Sequence, residues 1–169
     1  SGTNTYSGGT TISGGELKLS GSLTSDIIVA SGASLSGTGS TTGGLSGAGT
    51  VKPGNSIGTL TVGSANFAGG LTLDAELKKD GTSDLLAVTG AVSNLGQANI
   101  VIEKDASTPA PTPATASSIH ANYLGKSFTL ITAASGLDDA VSDSQITEGG
   151  TAHVLSDAKV DPAFANDAT

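Results

Sequence analysis

From Thr10 to Ile102 the apolar residues come in short bursts, each interrupted by polar neighbours. "TTIS", "ELKLSG", "DIIVASG", "TLTV", "LTLDAEL", "LLAVTG" and "ANIVIE" are examples, and Gly, Asn, Asp or Ser closes each one. Alternating short bursts with this punctuation predict β-strands joined by tight turns. Helical spacing is not sustained anywhere in this stretch, which therefore reads as all-β.

The bursts also recur. Ser25-Asp26-Ile27-Ile28-Val29-Ala30-Ser31-Gly32-Ala33 aligns without a gap to Ser83-Asp84-Leu85-Leu86-Ala87-Val88-Thr89-Gly90-Ala91, an offset of 58 residues. Read as three units of roughly 19 residues, this period predicts a parallel β-helix, in which each turn adds short strands to long sheets. Asp26 and Asp84 would then occupy equivalent turn-capping positions. The expected inward ladders draw on Ile12, Leu17, Leu19, Ile28, Leu35, Leu60, Val62, Leu71, Leu73, Leu86 and Val88.

After Glu103 the pattern changes. "KDASTPAPTPATASS", Lys104 to Ser118, spaces Pro109, Pro111 and Pro113 among small residues and reads as an exposed loop with polyproline character. "GKSFTLITAASGL", Gly125 to Leu137, resumes strand and turn, and "TAHVL" suggests a last strand. The expected organisation is β-helix rungs over 1–103, a loop insertion over 104–119, C-terminal strands and a cap over 120–160, and a flexible tail over 161–169.

Composition narrows the class. Glycine, at 25 residues, is about twice its usual share, and aromatics make up only 3%. A core so poor in rings favours thin, repetitive layers over one thick globule. The net charge is −8 and all seven basic residues are Lys. Without a basic cluster, nucleic acid and anionic lipid are not expected partners. There is no Cys, which removes thiol chemistry, Cys-ligated zinc and disulfide staples. No apolar run approaches the ~20 residues of a membrane helix, so no membrane insertion of this segment is expected. No signal pattern opens the chain, whose first residues "SGTNTYSGG" read like a cut from something longer.

Gly54-Asn55-Ser56-Ile57-Gly58 matches G-x-S-x-G, the nucleophile elbow of α/β-hydrolases. That elbow needs a strand before it, a helix after it, and then an acid and a His. Here Pro53 precedes the motif and the strand-like "TLTV" follows, while His120 and His153 lie beside the Pro-rich loop and near the end. Ser56 is therefore expected to sit in a turn without a catalytic role. Gly125-Lys126-Ser127 resembles the tail of a P-loop, but His120 stands where its leading glycine belongs. Asp138, Asp139, Asp143 and Glu148 lack the spacing of a calcium loop and read as a solvated acidic stretch. Asp161-Pro162 and Asn166-Asp167 are chemically labile pairs near the end. No catalytic, cofactor or metal residue is expected.

"NTYSGGTTISGGELKL" (Asn4 to Leu19), "VKPGNSIGTLTV" (Val51 to Val62), "GTSDLLAVTGAVSNLGQANIVI" (Gly81 to Ile102) and "SFTLITAASGL" (Ser127 to Leu137) together resemble the passenger domains of bacterial autotransporters, the type V secretion family. The first is similar to the passenger-associated repeat and the last to the final strand before the barrel linker. The Pro-rich insertion has no family-wide counterpart, and the translocating β-barrel is not in this sequence. The resemblance implies a right-handed parallel β-helix with a C-terminal cap, displayed on the bacterial surface or secreted after export through the outer membrane. It also implies an autochaperone role in a virulence or adhesion factor, with the chain's own β-barrel and upstream passenger sequence as partners. Residues from about Val51 to Leu155 are expected to fold autonomously and template the sequence before them.

Two other classes stand beside this non-enzymatic, structural reading. One is a binding module contacting host cells, glycans or copies of itself. The other is a polysaccharide-cleaving β-helix enzyme, which would carry clustered acids with Arg or Lys on one face. No such cluster is evident along the sequence.

Overall fold

The computed structural model describes residues 2–6, 8–78, 80–104, 128–137, 146–148 and 151–152. Strands follow one another around three sheets, three to a rung. The first rung is β1 (Thr10–Ile12), β2 (Gly15–Lys18) and β3 (Ser22–Leu23); the second is β4 (Ile27–Val29), β5 (Ala33–Gly37) and β6 (Ser40–Thr41). The third is β7 (Gly44–Gly47), β8 (Thr50–Pro53) and β9 (Thr59–Val62). The fourth is β10 (Ser64–Asn66), β11 (Thr72–Leu77) and β12 (Leu85–Val88). The fifth is β13 (Val92–Ser93), β14 (Asn99–Lys104) and β15 (Ile131–Thr132).

Like strands stack in parallel. The first sheet runs β1-β4-β7-β10-β13 and the third β15-β12-β9-β6-β3. The second continues past β14 to β16 (Ile146–Glu148), on which β17 (Thr151–Ala152) folds back antiparallel. That hairpin occupies the edge at which the next parallel strand would add. The expected parallel β-helix is the observed fold.

Register places apolar residues over apolar residues. In the second sheet Leu17, Leu35, Val51, Leu73, Ile100 and Ile146 are successive partners. In the third sheet Leu60, Leu86 and Ile131 stack. The core they form includes the fully buried Ile27, Leu35, Leu45, Phe67, Leu71, Leu77 and Leu95. Polar groups that enter it are paired: Thr41 Oγ1 donates to the Ser25 carbonyl at 2.7 Å, and the Ser25 hydroxyl meets Thr10 Oγ1 at 2.9 Å.

Corners demand glycine where one rung lies tightly on the next. Gly47 ends β7 at φ +128°, and a Cβ there would collide with the Val29 carbonyl of the rung below.

Two expectations are corrected. Ile28 does not point inward: it is 47% exposed, while Ile27 and Val29 on either side are fully buried. Three consecutive apolar residues fit both phases of a period-two strand, and the neighbouring rungs decide between them. Leu17, at the first rung, is only partly buried. The other residues of the expected ladders are buried.

The 58-residue repeat also fails as a rung period. Ser25–Ala33 runs through β4 in the first sheet, whereas Ser83–Ala91 runs through β12 in the third. Asp26 and Asp84 are therefore not equivalent. All corners use the same small-residue punctuation, so a sequence match finds a corner without telling which one. The true step grows along the chain. Thr10 pairs with Ile27 and Ile27 with Leu45, steps of 17 and 18 residues, whereas Ala65 pairs with Val92, a step of 27. The Pro-rich insertion, from residue 105 onward, and the expected tail over 161–169 lie outside the described residues.

Candidate functional site

The outer face of the second sheet carries most of the described charge. Strand alternation sends Leu17, Leu35, Val51 and Leu73 inward, so Glu16, Lys18, Ser36, Lys52 and Asp74 face out. Lys18, Ser36 and Lys52 stack in register, and Glu76 lies beside Glu103. With the turn after β8, these side chains line a cleft of about 210 Å³ that also includes Asp84.

Within the cleft the charges are tied together. Lys52 makes an ion pair with Asp74, which is 8% exposed. The hydrogen bond to Asp74 raises the Lys52 pKa above its ordinary value; burial opposes that shift, and the charges of Asp74, Glu103 and Glu16 support it. The Ser36 hydroxyl donates to Glu16 Oε1 at 2.6 Å. Among the described residues, no three His, Cys, Asp or Glu side chains are placed to hold a metal ion.

Ser56 lies on the rim of this cleft. The G-x-S-x-G stretch occupies a turn between β8 and β9, strands of two different parallel sheets. Gly54 starts the turn at φ +89° and exchanges backbone hydrogen bonds with Gly37, at 2.9 and 3.0 Å. β9, not a helix, follows Gly58. The local geometry is strand–turn–strand, unlike the strand–turn–helix of a nucleophile elbow. His120, His153, the Gly125-Lys126-Ser127 stretch, Asp138, Asp139, Asp143 and the labile pairs at Asp161 and Asn166 lie outside the described residues, and Glu148 is the last residue of β16.

Asp26 and Asp84 both accept backbone amides, though in different places. Asp26 Oδ1 accepts the Gly44 amide of the next rung at 2.7 Å. Asp84 is almost fully buried, and its two oxygens take the Gly58 and Glu76 amides at 2.8 and 2.9 Å. Burial pushes Asp84 up to about 6 against the pull of those two bonds, and the charges of Glu76 and Asp74 add to the rise.

The charged cleft corrects the expectation that acids and lysines do not cluster on one face. Its members are spread from Glu16 to Glu103, and only the stacking of β2, β8, β11 and β14 brings them together. A legible signal was present: Glu16 and Lys18 flank Leu17, Lys52 follows Val51, and Asp74 and Glu76 flank Ala75. Each is the outward partner of an inward residue.

No family model matches the chain. It is 34% identical over 139 residues to the extracellular serine protease of Serratia marcescens. The matched stretch covers 80% of this chain and 13% of that protein, so the chain spans about an eighth of the relative's length. Among the described residues no helix is long and apolar enough to cross a membrane.

Proposed function

We propose that this chain is a β-helical passenger segment of a bacterial autotransporter, displayed at the surface or secreted. In this reading it serves as stalk and as the folding template for passenger sequence N-terminal to it. Three lines support it: the passenger-like motifs, the parallel β-helix, and the similarity to a far longer extracellular protein.

One observation carries the templating role. Large, fully buried side chains concentrate in the later rungs, where Phe67, Leu71, Leu73, Leu77, Leu86 and Leu95 all lie in the core. At the other end the sheets continue to grow by single backbone bonds. The Asn4 amide donates to the Ser22 carbonyl, and the Ser22 amide to Gly2, each at 2.9 Å. A well-packed later body with an open early edge lets rungs add one at a time, because each rung contacts only its neighbours. Ser56 has no hydrolytic part in this scheme.

The test compares refolding of Phe128→Asp and Ile12→Asp in the whole chain. Phe128 is buried just before β15, and Ile12 is buried in the first rung. Burying an unpaired carboxylate costs several kcal/mol at either site. Phe128→Asp is expected to slow refolding of the whole chain and reduce surface display of the parent passenger, whereas Ile12→Asp frays the first rung. Equal slowing by both would remove the templating role.

A further inference from the structure

The turn at Gly54–Gly58 is fastened to the rung beyond it through a single side chain. Gly58 donates its amide to Asp84 Oδ1 at 2.8 Å and accepts the Leu85 amide on its carbonyl at 2.9 Å. Asp84 Oδ2 accepts the Glu76 amide, and the Asp84 amide donates to the Glu76 carbonyl, both at 2.9 Å. One carboxylate thus joins the turn after β8, the end of β11 and the start of β12. The fit is close, since a Cβ on Gly54 would meet the Ser56 carbonyl and come within 2.8 Å of Asp84 Oδ1.

We propose that Asp84 and the Gly54–Gly58 turn form a latch that tightens in mild acid. Closed, it locks the third rung to the fourth over a buried carboxylate; opened, it lifts Asn55 and Ser56 off the charged cleft and admits water to Asp84. The proposal is independent of the passenger reading.

The charged groups around Asp84 set the direction. Glu76 and Asp74 of β11 disfavour a second negative charge beside them. Lys52 of β8 is engaged by Asp74, while Glu103 of β14 and Glu16 and Lys18 of β2 complete the cleft lining. The turn contributes Asn55 and Ser56, which carry no charge. In the closed latch burial holds Asp84 up to about 6, and in the open latch the carboxyl returns toward its ordinary 3.8. The closed form therefore binds the proton more tightly. Protonation favours closure, and raising the pH through about 6 loosens the latch. Between about pH 8 and about pH 5 the open-to-closed ratio falls about tenfold.

Amide hydrogen exchange at Gly58 and Glu76, corrected for the intrinsic rate at each pH, reads this ratio directly. Protection at both amides is expected to rise about tenfold from about pH 8 to about pH 5. Protection at Leu45, in the core of another sheet, should stay flat. In Asp84→Asn the dependence should vanish. In Gly54→Ala, which keeps the carboxyl but strains the turn, the Asp84 titration midpoint followed by carboxyl NMR should drop toward the ordinary carboxylate range. Flat or falling protection in the unmodified chain overturns the proposal. So does an unchanged Asp84 midpoint in Gly54→Ala. Both readings stand even if Asp84→Asn does not fold.

Discussion

Ile27 and Ile28 are chemically identical neighbours with opposite fates. Ile27 pairs with Thr10 below and Leu45 above and is fully buried, whereas Ile28 is 47% exposed between Thr11 and Ser46. Truncation to Ala removes the same three carbons from each. At about 0.8 kcal/mol per buried carbon, Ile27→Ala loses about 2.4 kcal/mol of transfer energy, and the cavity left between rungs raises the cost to about 3–4 kcal/mol. At Ile28 about half the side chain already meets water and solvent fills the space, so the cost is about 1 kcal/mol. For a chain of this size 1 kcal/mol shifts the thermal midpoint by about 2–4 °C. The expected drops are therefore about 6–16 °C for Ile27→Ala and about 2–4 °C for Ile28→Ala. Thermal unfolding followed by circular dichroism, with both variants beside the parent, measures them. Equal drops, or a larger one at Ile28, would show that the strand phase assigned here is wrong.

Leu86, stacked between Leu60 and Ile131, should cost about 2–5 kcal/mol as Leu86→Ala in a urea titration. Gly47→Ala should destabilise by more than the ~1 kcal/mol usual for a point change, because its φ is positive and its Cβ would strike the Val29 carbonyl; the urea midpoint reports this as well. Lys52→Ala leaves the buried Asp74 carboxylate without its cation and should cost about 1–3 kcal/mol, with the Lys52→Ala/Asp74→Ala double variant costing less than the two singles together. Ser56→Ala should leave any activity of the parent protein unchanged, and a fluorophosphonate probe should not label the chain at Ser56; labelling there would revive the elbow reading of that turn.

The architecture was readable from local chemistry. Short alternating bursts closed by Gly, Asn, Asp and Ser permit strands and tight corners and little else, so the chain declares a parallel β-helix before any contact is known. The same reasoning put Ser56 in a turn between strands, because Pro53 and "TLTV" leave no room for a helix. What stayed hidden depends on how rungs are phased against one another. "IIV" at Ile27–Val29 satisfies either strand phase, and its neighbours Thr10 and Leu45 choose Ile27 for the core. Ser25–Ala33 and Ser83–Ala91 share corner chemistry but belong to different sheets, since the step between rungs lengthens from 17 residues to 27. The charged cleft has the same origin. Glu16, Lys52, Asp74 and Glu103 are distant along the chain and become neighbours only because β2, β8, β11 and β14 stack in one sheet. Local sequence sets which residues form strands and corners, while the register between rungs, a long-range property of the packed core, sets which of them meet.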